Sequence, residues 1–187
     1  VVVCVPAYVA AKILRPVDLT LADQITRIEY ASSAIVVQGY PLSQVRHPLD
    51  AFGLVVPAIE NRQILAVSFT SRKFPGRAPE GHVQLRTFVG GALQPELLQR
   101  SDAEIYSIVR GELADILGVT GEPDIETIAR YERTMPQYHV GHCERVADIF
   151  GSVAQHPGLA LAGNAYHGVG IPDCIHSAEQ AAESVFQ

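Results

Sequence analysis

The stretch LALAGNAYHGVGIPDCIHSAEQAA, residues 159–182, concentrates the residue types best placed to do chemistry. An apolar run ends in Gly163 and Asn164, a glycine-containing turn follows, and Pro172 opens an alanine-rich segment that reads as a helix. Proline suits the first turn of a helix because its missing N–H would be unpaired there anyway. The amides of Val169, Gly170 and Ile171 are then expected to point out of the helix start, beside the positive end of its dipole. Such an arrangement holds an anion or a carbonyl oxygen. Gly163, Gly168 and Gly170 let a flat or charged ligand come close to the backbone, and Ala178, Ala181 and Ala182 let the helix lie close against a sheet. This is the pattern of a cofactor corner, and equally of an ordinary strand–turn–helix joint in an α/β protein. Spacing alone leaves both open. GVGIPD places Asp173 where a dinucleotide fingerprint needs its third glycine, so that fingerprint is absent.

Other reactive side chains form no comparable pattern. His139, His142 and Cys143 in HVGHC, and His167, Cys174 and His176 around the corner, lack the paired spacing of a tetrahedral metal site, so no metal is expected. Arg72, Lys73 and Arg77 could meet a carboxylate, or could belong to a solvated loop. Neither a Ser/His/Asp arrangement nor a carboxylate pair stands out. Cys4, Cys143 and Cys174 are an odd set without CxxC spacing, which points to a reducing, cytoplasmic compartment. Fourteen basic against twenty acidic side chains give a net charge of −6 and exclude the basic stripe that nucleic acid requires. No run approaches the roughly 18 apolar residues of a membrane span. VVVCVP at the start has no charged leader or cleavage site, so it does not read as a signal peptide. Val1 lies inside an apolar run, and the chain reads as part of something longer.

These residues must be positioned by a core, and an apolar fraction of 48% over 187 residues supplies one domain or one domain and part of another. Val1–Val5 reads as a buried strand stopped by Pro6. A weak helical period runs through Leu21, Ile25 and Ile28. Strands are expected at 34–37, 53–56 and 64–70, and at 82–87, where Val83, Leu85 and Thr87 alternate with His82, Gln84 and Arg86. SRKFPGRAPEG between the last two has the Pro and Gly of a long loop. Ser101 to Gly118 is a helix with an SDAE capping box and one apolar stripe from Ile105 to Leu117. Residues 125–131 fit a strand or a short helix. A helix over 144–153, a short strand over 159–162 and a final helix over 172–186 complete the order. Pairing the first strand with 159–162, in a sheet separate from the middle block, gives two modules.

The corner, together with VPAYVAAKILRP, HPLDAFGLVVP, FTSRKFPGRAPEGHVQLRTFVGG and MPQYHVGH, resembles the oxygen-dependent protoporphyrinogen oxidase family of the flavin amine oxidase superfamily. The resemblance covers nearly the whole chain in order, and it matches the C-terminal portion of that family. The GxGxxG half and the helical membrane-associated insertion have no counterpart here. It implies an α/β (α+β) fold, in which a mixed-sheet substrate-binding domain (16–157) is flanked by parts of an incomplete FAD-binding Rossmann-type domain (1–15 and 158–187). It implies FAD contacts at Gly163, Asn164, Val169, Gly170 and Ile171. There the helix dipole would favour a flavin that has just accepted a hydride.

A tetrapyrrole pocket is implied at Phe52, Gly53, Val55 and Phe88; each of these, taken by itself, also fits plain core. The implied reaction converts protoporphyrinogen IX to protoporphyrin IX with dioxygen, giving hydrogen peroxide. Conversion of coproporphyrinogen III to coproporphyrin III, or a non-catalytic porphyrin-binding fragment, remain the alternatives. Peripheral contact with the inner membrane would come through the absent part. The chain by itself is expected to be inactive, to release FAD and to self-associate through an unpaired apolar edge.

Overall fold

A computed structural model describes residues 1–186. The elements run β1 (Val2–Val3), α1 (Ala7–Leu14), α2 (Leu19–Thr26), β2 (Tyr30–Pro41), β3 (Gly53–Val55), β4 (Ala66–Phe69), α3 (Thr70–Lys73), β5 (His82–Gly90), α4 (Asp102–Leu117), β6 (Ile125–Pro136), α5 (His142–Val153), β7 (Ala160–Leu161) and α6 (Ile171–Phe186). They fall into two compact units, one made of residues 1–30 with the chain from Pro136 onward, the other of Ala31–Met135. This division differs from the boundaries expected at 15/16 and 157/158. The reason is packing: α1, α2 and α5 share one apolar cluster with β1 and β7, through Ala10, Leu21, Ile25, Val146, Ile149 and Leu161.

In the first unit β1 and β7 pair in parallel, Val2 opposite Ala160 and Val3 opposite Leu161, as a two-stranded sheet separate from the other. Ala160 and Ala162 pack against Ala181 of α6, so small residues let that helix come close. Helix α1 escaped the sequence reading. Its core residues, Ala7, Ala10, Ala11 and Leu14, have perfect helical spacing, but they are mostly alanines and give a faint apolar stripe.

The second unit is a five-stranded sheet in the order β3-β4-β5-β2-β6. One face carries Ala34, Val36 and Tyr40 of β2, Val67 and Phe69 of β4, and Val83, Leu85 and Val89 of β5. Against it lie Ile105, Val109, Leu113 and Leu117 of α4. Ser101 caps α4 in a complete capping box with Glu104, and Gly118 ends it in the left-handed conformation at φ 61°. Residues 125–136 form a strand, longer than expected and with no helical turn. Among the described residues no helix is long and apolar enough to cross a membrane.

Asp18 caps α2 by accepting the Leu21 amide at 2.9 Å, and its other oxygen lies 2.8 Å from His156 Nε2. The Leu21 amide first, and His156 second, hold the Asp18 carboxyl below its usual range. A lowered carboxylate contributes stability that is present above the unfolded-state pKa and is lost as pH falls through the folded-state value. Asp18→Asn keeps an acceptor for Leu21 but has no charge. Thermal unfolding is therefore expected to separate the two proteins at neutral pH and to show the gap closing as acid protonates Asp18; a gap independent of pH would remove the charge from the account.

Candidate functional site

The corner emerges directly from β7. Gly163 follows it at φ 121°, in a region that favours glycine, with no atom within 4 Å of where a Cβ would stand. Its amide donates to Ser177 Oγ of α6 at 3.2 Å, which ties the strand end to the helix. Val169 and Ile171, at the helix start, are 55% and 78% exposed. The open space beside the Gly163 Cα and two exposed apolar side chains suit one face of a flat aromatic ring. The structure thus gathers Gly163, Asn164, Val169, Gly170 and Ile171 around one turn.

The helix start differs from the expected row of free amides. Asp173, the third residue of α6, reaches back so that Gly170 N–H donates to its Oδ2 at 3.2 Å. This is the N3 half of a capping box. Side chains at Gly168 or Gly170 would collide with that carboxylate, their Cβ positions lying 2.5 and 2.8 Å from Asp173 Oδ2. The two glycines therefore make room for the chain's own acid at this point, and the Gly170 amide is already taken.

Residues 136–142 hold the same turn from the other side. The Tyr138 hydroxyl donates to the Asn164 carbonyl at 2.7 Å and accepts from the Gly168 amide, so one oxygen spans both ends of the loop. Its ring stacks on His142, centroids 3.7 Å apart. His142 is buried, and its Nε2 donates to the Tyr166 carbonyl at 2.8 Å. Burial pushes the phenols of Tyr138 and Tyr166 upward, so both stay protonated. His142 thus supports the corner. His139 sits 3.2 Å from Glu29, and His176 is bonded to Gln180. Among the described residues no three His, Cys, Asp or Glu side chains converge as a metal site, and all three cysteines are free thiols.

In the second unit the sheet face opposite α4 collects the other candidates. Residues directly opposed across antiparallel strands share a face. Val55, Ala66, Phe88 and Ile35 stand in one row, and Gly53, Ser68, Arg86 and Val37 in the next. Phe52 precedes Gly53 and is 69% exposed. A side chain at Gly53 would run into the Val67 carbonyl, so this glycine is required by the close pairing of β3 with β4 whatever else it does. Arg86 lies over the Phe88 ring, 5.0 Å from its centroid. Of the basic residues singled out in the long loop, Arg72 lines a cleft with Leu49, Asp50, Ala51 and Phe52; Lys73 lies over Phe74.

Tyr138, His142, Asp173 and Arg86 carry the geometry, yet none was assigned a role from sequence. Asp173 had a readable signal, an acidic residue at the third helical position. Arg86 was read only as the polar side of an alternation, and nothing local pairs Tyr138 with a loop that starts 26 residues later.

The pattern that describes the flavin containing amine oxidoreductases matches residues 1–186. The chain belongs to that family. It is 34% identical to the coproporphyrinogen III oxidase of Bacillus subtilis over 97% of its own length and 38% of that protein. With the enzyme of the same name from Propionibacterium freudenreichii the identity is 38%, over 94% of this chain and 33% of the relative. A chloroplastic protoporphyrinogen oxidase of Nicotiana tabacum is 29% identical over 99% of the chain and 36% of its own. Among solved structures, one from Exiguobacterium sp. 255-15, provisionally named a protoporphyrinogen oxidase, superposes with a TM-score of 0.84. Its identity is 32%, over 98% of this chain and 40% of that one. The chain thus spans 33% to 38% of the curated relatives named here.

Tyr138→Phe keeps the stack on His142 and removes the oxygen that spans the loop. Each lost hydrogen bond should cost about 1 kcal/mol locally. Hydrogen exchange at the Gly168 amide is expected to quicken while exchange in α4 stays unchanged; equal protection at Gly168 in both proteins would show that Tyr138 does not hold the corner.

Proposed function

We propose that the protein containing this chain is an FAD-dependent oxidase that converts protoporphyrinogen IX to protoporphyrin IX with dioxygen, giving hydrogen peroxide. The observation that carries the reading is the sheet face where exposed Val55 and half-buried Ala66 and Phe88 share a row beside Gly53, with exposed Phe52 at its end. Three strands at about 4.8 Å spacing make that row roughly 10 Å across, an apolar strip suited to the centre of a tetrapyrrole. A second reading, oxidation of coproporphyrinogen III to coproporphyrin III, is favoured by the names of the relatives at 34% and 38% identity.

In this reading the first unit contributes part of the FAD-binding domain and the second the substrate domain. Gly163 and Asn164 would offer backbone to the isoalloxazine, and Val169, Gly170 and Ile171 would cover its edge. When bound, flavin supplies the acceptor for the substrate's hydride equivalents and the route for electrons to dioxygen. The residues of this chain contribute shape and exclusion of water: an apolar wall at Phe88, and a turn fixed by Tyr138 and Asp173. A reducing, cytoplasmic setting with peripheral contact at the inner membrane completes the proposal.

Phe88→Ala in the flavin-loaded protein is expected to weaken porphyrinogen binding by about 1–3 kcal/mol, the worth of one large apolar side chain, without loss of flavin. Unchanged KM and kcat in a folded variant would take Phe88 out of the pocket. The GxGxxG phosphate anchor is absent from this sequence, and Val2 of β1 is 38% exposed. Gel filtration with added FAD should give a colourless, self-associating peak without turnover; stoichiometric flavin in that peak would contradict the assignment of the corner as a partial site.

A further inference from the structure

Five arginines, Arg15, Arg62, Arg100, Arg110 and Arg130, each pair with a carboxylate at ordinary ion-pair distances. Arg86 does not. Among the described residues no acid pairs with it, although it stands in the middle of β5, where the backbone is fixed on both sides by β2 and β4. Its cross-strand neighbours are Ser68 and Val37, and one row along the strand lie Ala66, Phe88 and Ile35. Its guanidinium lies over the Phe88 ring. With its Cζ over the ring 5.0 Å from the centroid, the exposed guanidinium keeps a planar fork of N–H donors that can meet an acceptor. A carboxylate matches that fork with two parallel hydrogen bonds.

We propose that Arg86 is a specificity-determining residue that receives a side-chain carboxylate of the tetrapyrrole while Phe88 supports the ring beside it. The inference rests on the porphyrinogen reading above and adds to it the group that reads the substrate's charge. Residues two apart on one strand are separated by roughly 7 Å. A macrocycle seated on Val55 and Phe88 therefore brings a substituent at its rim over exposed Arg86. Exposed Arg72, in the short helix α3, is less suited to the task. Arg72 stands beyond the end of β4, next to Asp50, and has no strand on either side to fix it. Arg86 also explains why an apolar strip carries one cation: the stacked ring shields its stem and holds the head in place before the ligand arrives.

The test is a fluorescence titration of the full-length, flavin-loaded protein with coproporphyrin III and with its tetramethyl ester, in one detergent buffer. Wild type is expected to prefer the acid. Arg86→Leu, which still covers Phe88, is expected to lose roughly tenfold to a hundredfold in affinity for the acid, with the ester unchanged. Arg86→Lys should recover part of the loss, since it restores the charge without the fork. Equal affinity of wild type for acid and ester, or an Arg86→Leu protein that binds the acid like wild type, overturns the proposal and leaves the porphyrinogen reading standing. A wild type that binds neither porphyrin overturns both. Should Arg86→Leu fail to retain flavin, Arg86→Gln gives the same contrast with a polar side chain.

Discussion

Val2 and Val3 pair in parallel with Ala160 and Leu161, and the Val1 nitrogen donates to the Gly158 carbonyl, 157 residues away. Parallel strands are stable only when both faces are covered. Here helix α6 lies on one side, through Ala181, and the cluster of α1, α2 and α5 contributes Leu161 and Val3 to the other. That pairing determines where β7 ends, and therefore where Gly163 and the corner begin. It also requires the chain between to leave the first unit after Tyr30 and return at Pro136. Ser32 Oγ accepting from the Arg133 amide, and Gln137 N–H donating to Glu29 O, show the outgoing and returning segments running side by side.

The corner is a turn whose polar groups are largely satisfied by its own chain. Asp173 takes the Gly170 amide, Tyr138 takes the Gly168 amide and the Asn164 carbonyl, and His142 takes the Tyr166 carbonyl. What remains open is apolar or backbone: Gly163, Val169 and Ile171. A planar ring needs this kind of surface, with shape already set and few polar groups left to desolvate. The sheet face opposite α4 follows the same logic in another element, since its strands are rigid and its side chains project from fixed positions.

Periodic signals were readable from sequence because they are local. The capping box at Ser101, the stripe of α4 and the alternation of β5 each depend on a few neighbours, and each stands where it was expected. Even the separate pairing of the first and last strands could be read, from their continuous apolar character. Alanine-built α1 could not, because small side chains mark a helix face only weakly. Nor could the division into units, which depends on α1, α2 and α5 meeting across more than a hundred residues of sequence. In the site, the glycines were legible and their reason was not. Gly168 and Gly170 give way to Asp173, a partner only three to five residues on but visible only once the helix start is built.

The insertion of one unit between two strands of the other also sets an order of assembly. Closing a loop costs entropy that grows with the logarithm of its length. Strands separated by 157 residues would meet slowly in an unstructured chain. Once the middle sheet has formed, Ser32 and Arg133 are already adjacent, and the open stretch falls to roughly a third. That shortening is worth about 1 kcal/mol of closure entropy. Within the middle sheet β3, β4 and β5 follow one another in the chain and pair locally, so that part forms quickly. The five-stranded sheet is thus the kinetic scaffold on which β1 finds β7, and the corner after β7 is among the last parts of the chain to take shape.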